Sequence, residues 1–133
     1  SCINIILKAS TQEFKINFSD FKKDVGVIKY SAASSNQTLK LLSAKKANAI
    51  KKASKDVIKG DYDDSFPLDV FQTGSGTSTN MNANEVIANV ASAKSKTAIA
   101  ANDDVNMSQS SNDVIPTAIC ISSLLDMERL LLP

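Results

Sequence analysis

Histidine and tryptophan are absent from this chain of 133 residues. The lack of histidine excludes His-based metal sites, His general bases and Ser-His-Asp or Cys-His triads within it. Chemistry here has to run on hydroxyls, carboxylates, amides or lysine. Cysteine is scarce as well, and Cys2 and Cys120 alone cannot build a disulfide scaffold. Four glycines and three prolines exclude collagen-like and low-complexity classes, while a hydrophobic fraction of 43% is too high for wholesale disorder. Near the start, the apolar stretch Ile3–Leu7 is broken by Asn4 and falls far short of a membrane helix or export signal. A soluble, cytoplasmic protein without a membrane partner is expected, with a mitochondrial location left open. The length suits one ordinary domain or a piece of a larger protein.

The near-neutral total conceals a division of charge. Residues 1–59 carry twelve lysines against four acids, and residues 60–133 carry three bases against ten acids. Two sets of solvated helix faces account for this, and a basic surface for anions is the sharper alternative. No aromatic residues interleave with the lysines, which argues against nucleic-acid stacking and leaves no nucleic-acid partner expected.

Along the chain, Phe14, Ile16 and Phe18 alternate with Lys15 and Asn17 and predict a short β arm. From Ser19 or Asp20, the spacing of Phe21, Val25, Ile28, Ala32, Ser35, Leu39 and Leu42 predicts an amphipathic helix of about 20 residues, with Gly26 its internal weakness. Ser43 is placed to cap a second helix with Ala47, Ile50, Ser54, Val57 and Ile58 on one face, and Gly60 stands at its C′ position. These two helices predict an αα-hairpin. The acidic, proline-containing run 60–67 and the apolar segment Leu68–Phe71 form a connector. A third helix begins near Thr77 to Asn80, uses Met81, Val86, Ile87, Val90 and Ala91, and fades at Lys94-Ser95-Lys96. A loop from Thr97 to Gln109 precedes the last element, which opens at Ser110 to Asp113 and is apolar nearly all round from Val114 to Leu132. Pro116 is expected in its first turn, where the missing N–H does no harm. Such a helix, about 30 Å long, needs neighbours on every side. Further segments of a longer protein, or partner chains, are therefore expected to bury it, while Asp113, Asp126, Glu128 and Arg129 argue against membrane insertion.

Two polar helix mouths stand out. In Gln72–Asn80, Gly74 and Gly76 let the backbone approach a ligand, hydroxyls flank them and a helix opens behind, although no lysine follows at the P-loop position. In Ser108–Asp113, hydroxyls, an amide and backbone N–H groups gather without fixed positive charge, and the run exceeds what a single cap requires. Together the mouths suit a small molecule bearing two carboxylates, which neutral donors orient without trapping.

The blocks Phe66–Asn89 and Asn102–Ala118 resemble, in order, those of class II fumarate hydratase in the fumarase/aspartase superfamily. Weaker similarity reaches back to about residue 25. The resemblance implies a mainly α fold, with an N-terminal helical domain over 1–107 and the start of a central-bundle domain over 108–133. It implies reversible hydration of fumarate to L-malate, a tricarboxylic-acid-cycle reaction, with no metal or organic cofactor. A homotetramer with composite active sites is implied as partner state. Ser75, Gly76 and Thr77 with Ser110, Ser111 and Asn112 correspond to residues that grip the dicarboxylate. Asn102 and Asp103 fall in the family's secondary anion site, written His-Pro-Asn-Asp. Here that tetrad reads Ala100-Ala101-Asn102-Asp103, and Thr97 and Val90 replace expected arginines, which weakens the site as an anion binder. The family's Thr-His pair and its Gly-Ser-Ser loop with a nearby Lys and Asn have no counterpart in this chain, so it has no catalytic residues of its own and is expected to be inactive in isolation. Aspartate ammonia-lyase of the same superfamily and a non-catalytic helical assembly module are the alternative readings.

Overall fold

The structure is a computed structural model and describes residues 18–67 and 76–130. Among these residues the elements are helical: α1 (Phe18–Thr38), α2 (Ala44–Lys59), a 3-10 turn (Asp63–Ser65), α3 (Thr77–Ser95), a π turn (Ala101–Val105) and α4 (Ser111–Leu130). The expected arm at Phe14 and Ile16, the segment Leu68–Phe71, Gly74, Ser75 and the end of the apolar run at Leu131 and Leu132 lie outside the described residues. Phe18, expected in the arm, instead opens α1.

The hairpin forms as its caps dictate. Ser43 has extended backbone and accepts the Lys46 N–H on its hydroxyl at 3.4 Å, satisfying one orphan donor of α2. At the other end Gly60, with φ 87°, takes the left-handed turn that closes the helix, and its N–H bonds the Val57 carbonyl. Of the expected face, Ala47, Ile50, Ser54 and Val57 are buried and Ile58 is half-buried, in a helix packed on α1. Gly26 marks the close approach of the two helices, because a Cβ there would stand 3.0 Å from Ile58 and 3.5 Å from the Ser54 carbonyl oxygen. What reads in sequence as a weak point of α1 is therefore a contact point.

Three expectations change. The buried face of α1 is Lys22, Val25, Lys29, Ala33 and Asn36, a three-four spacing shifted from the apolar one, and Leu39 lies past the helix end, 66% exposed. The shift accompanies bonds from Lys29 and Asn36 to Asn106, Met107 and Gln109 in the stretch between the π turn and α4, which bring polar positions of α1 inward. In α3, Met81 is exposed and Asn80 and Asn84 are buried, Asn80 with partners in Asn106 and Ser111. Pro116 is the sixth residue of α4, beyond the first turn. Its missing N–H leaves the carbonyl of the exposed Asn112 without its helical donor, and solvent access there makes the loss tolerable.

One apolar core joins all four helices, from Val25 and Ile50 through Ala83, Ile87 and Val105 to Val114 and Ala118. The stretch expected as plain loop contains the π turn, fixed by Asp104. Its carboxylate accepts the Ala100 N–H at 2.8 Å and pairs with Lys46 of α2 at 2.7 Å. Lys94 of α3 pairs with Asp56 of α2 at 2.8 Å, and that bond, followed by one to Tyr62, raises the lysine's pKa. Thus two lysine–acid pairs knit the basic hairpin and the elements after it. No described helix is long and apolar enough to cross a membrane.

Replacing Gly26 by leucine should lower stability by about 1–3 kcal/mol through overpacking at the α1–α2 contact. Urea unfolding read by circular dichroism measures it, and an unchanged midpoint would contradict the assigned close approach.

Candidate functional site

The two polar mouths come together. Gly76, the residue before α3, has φ 68°, a conformation glycine adopts without penalty. A Cβ there would stand 2.9 Å from two carbons of the Ile115 side chain in the first turns of α4. A bare α-carbon is therefore what lets the start of α3 meet the start of α4. The positive ends of both helix dipoles are brought into one region.

Ser110 caps α4, its hydroxyl accepting the Asn112 N–H at 3.2 Å and its carbonyl the Val114 N–H at 3.0 Å. Ser111 is half-buried, and its hydroxyl oxygen accepts a hydrogen bond from Asn80 Nδ2 of α3 at 3.0 Å. Thr77 is half-buried at the start of α3, whereas Asn112 is exposed. Ser75 lies outside the described residues. The structure thus brings Gly76, Thr77, Ser110, Ser111 and Asn112 to neighbouring helix starts. Asn102 and Asp103 sit elsewhere, exposed on the π turn.

Behind the mouths stands a group that the sequence pattern does not disclose. Lys29 of α1 has 0% of its surface exposed, and its Nζ donates to Asn106 Oδ1 at 3.0 Å and Gln109 Oε1 at 2.9 Å. Asn106 Oδ1 also accepts from Asn80 Nδ2 at 3.3 Å. Asn106 in turn donates to the Gln109 carbonyl at 3.2 Å, and Gln109 Nε2 to the Val105 and Met107 carbonyls at 2.9 and 3.1 Å. Asn36 secures the same loop by donating to the Met107 carbonyl at 3.0 Å. Lys29 is connected to Ser111 through Asn106 and Asn80. Burial lowers its pKa from 10.5 to about 7. Both hydrogen-bond partners are neutral amide oxygens, and a neutral amine still has two N–H groups to give them, so the arrangement survives deprotonation. The available sequence signal was a lysine at the spacing of Val25 and Ala33.

A family profile described as lyase matches residues 3–133. The class II fumarate hydratase of Wigglesworthia glossinidia brevipalpis is 55% identical over 112 residues, covering 80% of this chain and 24% of its own length. That of Saccharolobus solfataricus is 54% identical over 109 residues, covering 82% of this chain and 25% of its own. Among solved structures, recombinant class II fumarase from Schistosoma mansoni superposes with a TM-score of 0.79 at 40% identity, over 82% of this chain and 24% of that one. Fumarate lyase:delta crystallin from Brucella melitensis gives 0.79 at 41% identity, over 86% and 28%. A helical lyase scaffold is the class that fold and sequence define. The chain belongs to the lyase family and is similar to class II fumarate hydratases, spanning about a quarter of the length of the curated relatives it matches.

Two outcomes follow from this geometry. Gly76→Ala should cost about 2 kcal/mol, combining left-handed strain with the Ile115 contact, and thermal unfolding measures it. For Lys29, the unfolded chain holds a proton up to pH 10.5 that the folded chain releases near pH 7. The charge therefore costs stability in full below pH 7, and the cost is relieved as pH rises to 10.5. Urea unfolding across that window should show wild-type stability rising relative to Lys29→Met, by at most about 1.4 kcal/mol per pH unit; parallel profiles would contradict it.

Proposed function

We propose that the protein is a fumarate hydratase, adding water reversibly across the double bond of fumarate to give L-malate, and that this chain supplies part of the dicarboxylate cradle. The observation that carries the reading is the meeting of the two helix starts at Gly76 and Ile115, set within a sequence 55% identical to a class II fumarate hydratase. Two adjoining positive helix ends with hydroxyls between them fit an anion bearing two carboxylates.

Ser75, Gly76 and Thr77 grip one end of the substrate in this reading, and Ser110, Ser111 and Asn112 the other. Ser110 already spends an acceptor on the Asn112 N–H. Its O–H remains available to donate, as does that of Ser111. Starting from malate, a proton is removed from the carbon next to one carboxylate, and the electron pair left behind spreads onto that carboxylate. Hydroxide then departs from the neighbouring carbon with a proton supplied to it. Donors placed at the carboxylate are worth most when the extra charge arrives there. The acid and base belong to segments outside this chain. Asn102 and Asp103 are assigned to the secondary anion site, weakened by the alanines before them.

The assembled protein is read as a homotetramer, with α4 in its central bundle and the boundary between the helical domain and the bundle near residue 107. Support comes from Ile119, Leu124 and Met127, which are 48%, 57% and 52% exposed on a helix otherwise packed at its start. Ser110 to Asn112 would then face residues of another copy.

Loss of fumarate ultraviolet absorbance on mixing with the full-length protein tests the activity. Turnover is expected from it and not from the isolated 133-residue chain, and a full-length protein without turnover overturns the reading. Leu124→Lys with Met127→Lys should convert a tetramer sedimenting as one species into smaller ones.

A further inference from the structure

Fold stability does not account for Lys29. An apolar side chain of similar length would fill the same space between α1 and the π turn without the cost of burying an amine. What the amine does that methionine could not is impose direction on the amides around it.

An ammonium or amine donates to Asn106 and Gln109 through N–H groups, so both amides must turn their oxygens toward it and their NH2 groups away. The NH2 groups find carbonyls on the opposite side, those of Gln109 for Asn106 and of Val105 and Met107 for Gln109. With its oxygen held by Lys29, Asn106 also faces Asn80 as an acceptor, and Asn80 must present its NH2. The second N–H of that group goes to the Ser111 oxygen. A serine hydroxyl has one proton to give, and because its oxygen is already receiving the Asn80 N–H, that proton is left to point elsewhere. The cost of this ordering is visible at Asn80 Oδ1, which is buried with no hydrogen-bond partner among the described residues. A reversed Asn80 would satisfy that oxygen by taking the Ser111 proton, but only by giving up its bond to Asn106 Oδ1.

We propose that Lys29 is a positioning residue that sets the hydrogen-bond direction of the chain Lys29–Asn106–Asn80–Ser111, so that Ser111 offers its hydroxyl proton to a carboxylate of the substrate. This rests on the fumarate hydratase reading for the identity of the ligand and adds a residue outside the cradle to it. With Lys29 replaced by methionine, Asn106 keeps only the Gln109 carbonyl to hold its direction, the order of Asn106 and Asn80 loosens, and Ser111 then donates inward part of the time.

The test uses the full-length protein, with fumarate turnover and calorimetric binding of succinate as readouts. Lys29→Met should weaken succinate binding and lower kcat/KM by about 10- to 100-fold. Ser111→Ala should cost about tenfold in the wild type and less than about twofold in the Lys29→Met background, because the hydroxyl is already misdirected there. A structural role for Lys29 would leave the two costs multiplicative. Asn80→Leu, which severs the chain while leaving Lys29 both of its oxygens, should reproduce the loss and serves if Lys29→Met does not fold. Lys29→Met within twofold of wild type, or costs that multiply, overturns the inference while wild-type turnover leaves the functional reading intact. If the wild type neither turns over fumarate nor binds succinate, the functional reading fails separately. Neutron diffraction then decides the hydrogen-bond direction: deuterium on Asn80 facing Ser111 is expected, and an Asn80 oxygen facing Ser111 overturns it.

Discussion

A buried amine with two amide oxygens as its partners is the constraint on which the region around the helix starts depends. Water would solvate the lysine head group far better than a protein core does, so the core has to bring polar groups to it. Asn106 and Gln109 do so from the stretch after the π turn, and that stretch leads directly into α4. The path of the chain from Val105 to Ser111 is therefore fixed by bonds reaching back to α1, across more than seventy residues of sequence. Apolar contacts hold the helices together, but these amides determine where α4 begins.

A second constraint is steric. The starts of α3 and α4 meet because Gly76 has no side chain where Ile115 lies. Polar and steric devices act on the same place from opposite sides, one pulling the loop toward α1 and the other allowing α4 to close on α3. Ser111, linked through Asn80, sits between them. The alignment of two helix dipoles is thus a consequence of one missing methyl group and one buried amine.

Capping chemistry and periodicity made the elements legible in sequence. Ser43 and Gly60 bound α2 because their local preferences coincide with what the helix ends need, and the apolar face through Ala47, Ile50 and Val57 is where the core lies. The presence and approximate length of α1 were readable too, but its orientation was not. Apolar spacing favours Phe21, Ile28 and Leu39, whereas the buried positions include Lys29 and Asn36, whose partners come from residues far along the chain. Periodicity cannot register a polar residue buried for a distant partner. The glycine-rich and serine-rich mouths were visible as motifs, and their adjacency was not, since it depends on how α3 and α4 cross. Asn80, read as part of a helix start, proved to be the link between the mouths and the core.

The separation of charge along the sequence has a consequence in time. Synthesis delivers the N-terminal half first, and a lysine-rich helical hairpin then emerges before Asp104 exists to pair with Lys46, and before Asn106 and Gln109 exist to receive Lys29. Until those residues leave the ribosome, the hairpin holds an amine that cannot be buried at acceptable cost, and its inner face stays open to water. The polar partners that α1 and α2 take from the acidic half therefore arrive only with residues 104–109.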